Sequence, residues 1–96
     1  MLPLAAIESA IQDALPPIIA RHRSAGHLTW KLLHQIEDEV MSEVSATGKV
    51  APMMLAVLKS SPFMSFPRND SVADLSKHDV LPIAFALTAQ AWNKLH

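Results

Sequence analysis

Apolar positions recur at helical intervals along most of this chain. Leu4, Ile7, Ile11, Leu15 and Ile18 follow one another at three- and four-residue steps, with Glu8, Gln12 and Asp13 off that line. This spacing predicts a first helix reaching about residue 23. Pro16 and Pro17 remove the backbone donors that would bond the carbonyls of Gln12 and Asp13, so a kinked helix or two helices meeting at the prolines is expected. Gly26 is the natural stop, and Arg21, His22 and Arg23 suit the negative end of the helix dipole.

A second helix is predicted over 30–46, with Thr29 as N-cap and Gly48 as terminator. Leu32, Leu33, Ile36, Val40 and Val44 line its apolar side, opposite Lys31, Gln35, Asp38, Glu39 and Ser42. Trp30, His34 and Met41 fall on the boundary, where an amphipathic ring is placed to meet a partner. Residues 50–60 read as a short third helix with Pro52 in its first turn, or alternatively as a buried strand. Their alanine and methionine content favours the helix. Two prolines and no helical period make 62–70 a loop or extended arm. Ser71-Val72-Ala73-Asp74 has the pattern of a capping box opening a single turn.

The last stretch, 80–96, is the most apolar. Val80, Leu81, Ile83, Phe85, Leu87, Trp92 and Leu95 sweep about 200° of a helical wheel, whereas a surface helix needs only about 100°. Its other side carries Pro82, Ala86, Ala89, Gln90 and Asn93, small or neutral groups that let another element approach closely. Asp79 is the expected cap, with Pro82 inside the first turn. Such a helix is packed from two sides, by its own domain or by a second subunit. The class expected is all-α: a single domain over 1–96, a bundle of four or five helices with short connections.

Composition sharpens that picture. Of 96 residues, 50% are hydrophobic and 18% charged, against a usual charged share of about 25%. A domain this small buries only about 60–65% of its unfolded surface. Part of the apolar surplus is therefore expected to meet another protein. The net charge of −1 gives no global basic footprint, and the absence of cysteine excludes thiol chemistry and disulfides. No signal-peptide pattern opens the chain, and its longest uncharged apolar run, 80–93, is shorter than the roughly 18–20 residues that span a bilayer. A cytoplasmic protein without membrane contact is expected.

Candidate chemistry is sparse. A helix-turn-helix reading places methionines, leucines and valines where polar groups should face bases, which argues against direct base reading. Arg21, Arg23, His27 and Lys31, with His22 and His34 beside them, form a basic region suited to phosphate contacts, although Glu37, Asp38, Glu39 and Glu43 follow closely. His34/Asp38 and Asp74/His78 have one-turn spacing, but two ligands do not make a zinc site. No phosphate-binding glycine loop or nucleophile elbow is present, so neither catalysis nor a cofactor is expected. The remaining signal is apolar: Phe63, Met64 and Phe66 crowd an irregular segment, and Met53 and Met54 precede them. The sequence thus predicts a small interaction module that self-associates or docks on a larger protein. Its expected contacts are Phe63, Met64 and Phe66 with Leu81, Phe85, Trp92 and Leu95 of the final helix. Nucleic-acid association through Arg21, Arg23, His27 and Lys31 is the alternative.

Overall fold

The computed structural model of the chain describes residues 4–48, 50, 66–78 and 81–95, together with the side chains of all of these but residues 4 and 95. Its helices are α1 (Leu4–His22), α2 (Trp30–Thr47) and α3 (Ile83–Leu95), joined by 3-10 turns at Arg23–Ala25 and Leu75–Lys77. The class is all-α. Three helices among the described residues replace the four or five expected, and the helix expected over 50–60 lies, apart from Val50, outside those residues.

The proline pair does not divide α1, which runs as one 19-residue helix through Pro16 and Pro17. Both prolines, with Gln12 and Asp13 one turn earlier, are exposed. The two carbonyls deprived of donors therefore belong to the wet side, where water can satisfy them. Ile7, Ala10, Ile11, Ala14, Leu15, Ile18 and Ile19 form an unbroken buried stripe on the other side.

The start and stop of α2 follow from local chemistry. The Thr29 hydroxyl accepts from the Leu32 amide at 3.1 Å. Gly48 ends the helix at φ 70°, a left-handed conformation that favours a residue without a Cβ. In α3 the Pro82 carbonyl accepts the first helical bond, from Ala86 at 3.1 Å. Pro82 thus stands at the cap rather than within the first turn; Asp79, the expected cap, lies outside the described residues.

Helix α1 packs against both α2 and α3, which also touch each other. The main core joins the α1 stripe to Ile36, Val40, Met41 and Val44 of α2 and to Ala84, Leu87 and Trp92 of α3. A second cluster, Trp30, Leu33 and Phe85, receives Leu28, Phe66, Ala73 and Leu75. The wide apolar arc of α3 is thus used on two sides within one chain. Trp30 and Met41, expected at a partner boundary, are buried.

Thr88 of α3 is wholly buried and its hydroxyl has no hydrogen-bond partner. An unsatisfied buried polar group costs about 1–3 kcal/mol. Thr88→Val is therefore expected to stabilise the protein by about 1 kcal/mol, a rise of roughly 4–8 °C in melting temperature for a domain of this size. A thermal melt showing a lower midpoint would mean that the hydroxyl is bonded in solution.

Candidate functional site

The most distinctive surface is built where residues 66–78 cross the start of α2. The first helical amides ordinarily lack partners. Here Trp30 N–H donates to the Ser71 carbonyl at 3.0 Å and Lys31 N–H to the Asn69 carbonyl at 2.9 Å. Ala73 N–H in turn donates to the Leu28 carbonyl at 2.8 Å, and Thr29 and Val72 form an isolated antiparallel bridge. An irregular segment can lie over an apolar core only when its backbone polar groups are satisfied, and α2 supplies that condition.

The segment is also held by rings. Phe66 lies 4.8 Å from His78, 5.1 Å from Phe85 and 5.7 Å from Trp30, centroid to centroid. His78 meets the edge of Trp30 at 5.5 Å, and His34 meets Phe85 at 5.1 Å, both nearly perpendicular. These are favourable aromatic geometries. Phe66, expected on an exposed or partner-covered arm, instead turns inward. A single 3-10 turn does follow, but Asp74 caps it rather than Ser71: its Oδ1 accepts from Ser76 N–H at 3.2 Å and Ser76 O–H at 2.5 Å. Those bonds, the Ser76 hydroxyl first, hold the Asp74 carboxyl below its ordinary range.

His34 Nε2 donates to the Pro67 carbonyl at 2.9 Å. Burial lowers its pKa below the ordinary 6.5, reinforced by Arg68 and opposed by the Pro67 carbonyl and Asp38. The unfolded chain then binds more protons than the folded one just below pH 6.5, so stability rises with pH through that window. Its contribution is complete above about 6.5 and lost as the pH falls through the folded value. Melting temperature is expected to drop between pH 7.5 and 5, and to drop less in His34→Gln; identical slopes for the two proteins would refute this.

Beside the crossing lies a cleft of about 590 Å³. Gly26, His27 and Leu28 form one wall, Val72, Ala73 and Leu75 another, and Ala89, Trp92 and Asn93 of α3 the third. It opens over the small-residue side of the final helix. Val72 on its rim is 61% exposed, the one large apolar side chain so exposed among the described residues.

The expected contact residues are redistributed by this arrangement. Phe85 and Trp92 are 2% and 5% exposed, enclosed by their own chain, and Leu81 and Phe66 are half-buried. Phe85 and Trp92 thus cannot serve as ready-made exposed anchors. Phe63, Met64 and the Leu95 side chain lie outside what is described. Val72 carries no periodic signal in the sequence; its antiparallel bridge to Thr29 is what sets it on this rim.

In the basic region, Arg21, Arg23, His27 and Lys31 are all exposed. Glu39 reaches back to this end of α1, its carboxylate 2.6 Å from His22 Nε2 and 3.7 Å from Arg21 Nη2. That ties the end of α1 to α2 and offsets part of the positive field. The His34/Asp38 and Asp74/His78 pairs do not extend to any group of three potential metal ligands among the described residues. None of the described helices is long and apolar enough to cross a membrane.

Among the described residues, fold and surface define an all-α protein with three helices, a segment crossing the start of α2 and an open cleft beside it. The chain belongs to the family described as a protein of unknown function, DUF2471, whose model matches residues 5–96. No curated protein and no solved structure matches it.

Proposed function

We propose that this protein is a non-catalytic interaction module of the cytoplasm that docks on another protein through the face around Val72. The observation that carries this reading is the open cleft with the exposed Val72 side chain on its rim. The aromatic anchors expected from the sequence are spent on the internal core, so the docking surface shifts from the rings of α3 to the crossing segment that covers them. Burying a Val side chain is worth about 1.5–3 kcal/mol, enough to matter in a small interface though not to make one alone.

The test is affinity capture from the native host with wild-type protein and Val72→Asp in parallel, with circular dichroism confirming equal helicity. A protein recovered by the wild type and lost with Val72→Asp supports the reading. Equal recovery by both, or recovery of none, overturns it. Light scattering over a concentration series distinguishes a second copy from a different partner.

Phosphate contacts remain the competing proposal, supported by the exposure of Arg21, Arg23, His27 and Lys31. The proximity of Glu39 to Arg21 and His22 weighs against it. Affinity for generic duplex DNA that falls steeply between two salt concentrations would favour it over protein docking.

A further inference from the structure

We propose that the free edge at Val72 and the adjoining cleft receive an extended peptide of a partner protein, added as a strand, with an apolar residue flanked by basic ones. This rests on the reading of the Val72 face as a docking surface and states what kind of segment docks there.

The backbone supplies the first argument. The bonds Ala73 N–H to Leu28 carbonyl and Trp30 N–H to Ser71 carbonyl bracket the Thr29–Val72 pair. In an antiparallel ladder, a residue bracketed in this way turns its own N–H and C=O away from its partner. Among the described residues, no backbone group bonds to them. They form the donor and acceptor that one residue of an added strand would use, as in strand-addition recognition.

The side chains supply the second. The exposed Val72 stands beside a cleft walled by Leu28, Leu75, Ala89 and Trp92, a place for an apolar group of the incoming strand. Asp70 and Asp74, both exposed, flank Val72 at two-residue spacing. Lys77 Nζ is 3.8 Å from Asp74 Oδ2 with both side chains exposed, a pairing readily exchanged. Lys31 and Arg68 stand at the Asp70 end of the crossing, beside Asn69, and no ion pair joins either to Asp70 among those the described residues show. A second copy fits poorly: antiparallel pairing centred on Val72 would set Asp70 of each copy against Asp74 of the other, like charges face to face. A peptide with Lys or Arg two positions either side of its apolar residue meets the same carboxylates with opposite charge.

The experiment selects binders from a displayed library of random ten-residue peptides on the full-length protein, and measures the selected peptides by fluorescence anisotropy. Enrichment of basic-x-apolar-x-basic sequences is expected. Val72→Pro, which lacks the N–H, should weaken them at least tenfold, and Asp70→Lys, which leaves the backbone edge intact, severalfold. Circular dichroism checks that each variant is folded; should Val72→Pro unfold, Asp70→Lys and Val72→Asp carry the test. Failure to select any peptide, enrichment of acidic or helix-period sequences, or affinity indifferent to both variants overturns the inference. So does a concentration-dependent dimer broken by Val72→Asp, which would make a second copy the occupant. Capture of a folded partner that depends on Val72, without peptide selection, would leave the docking face standing and reject strand addition alone.

Discussion

Phe85→Ala is expected to destabilise the protein by about 3–5 kcal/mol, the usual consequence of deleting a buried aromatic side chain. Total stability for a chain of this length is about 5–14 kcal/mol, so the variant should remain folded only marginally. The effect is not confined to α3. Phe85 is 2% exposed and meets Phe66 and His34, the residues through which the crossing segment is held. Its loss removes the floor under that segment as well as volume from the helix. Urea titration should show the lowered midpoint, and the fluorescence of Trp30, in the same cluster, should shift before the main transition. A loss below about 0.5 kcal/mol would mean that the second cluster contributes little beyond surface contact.

Trp92→Ala is expected to cost a similar amount, about 3–5 kcal/mol, but through the other cluster. The indole is 5% exposed and packs with the α1 stripe and the inner face of α2. Were Trp92 an intermolecular anchor, its removal would weaken assembly and leave the melting temperature at low concentration intact. The geometry predicts the reverse: a lower midpoint that does not depend on protein concentration. Differential scanning calorimetry at two concentrations separates the two outcomes. A midpoint that falls only in the concentrated sample would put the ring at an interface.

Much of the helical framework was legible because its determinants are local. Thr29, Gly48 and the three-and-four spacing of α1 act within a turn or two of their own positions, and each does what its neighbours imply. The aromatic cluster was not legible, because Trp30, Phe66, His78 and Phe85 meet only after the chain has folded back on itself. No periodicity links them. Phe66 departs from the exposed-arm expectation for a definite reason: crowding of Phe63, Met64 and Phe66 in an irregular segment argues against all three turning inward, but Phe66 does so because the carbonyls of Ser71 and Asn69 find donors at the start of α2. Of the two outcomes expected at the proline pair, only the division into two helices is excluded, since backbone bonds lost on the wet side of α1 need not break it. The helix over 50–60 and the Phe63–Met64 arm fall outside the described residues. Composition leads one to expect that part of the apolar surplus meets another protein. Among the described residues the chain absorbs it internally, save for Val72.

The bonds from Trp30 and Lys31 have a kinetic consequence. First-turn amides normally trade their hydrogens with solvent quickly, because nothing inside the helix protects them. Here their protection depends on carbonyls some forty residues away in the chain. Deuterium uptake at these two amides should therefore track each detachment of the crossing segment, while the middle of α2 stays protected until the whole molecule opens.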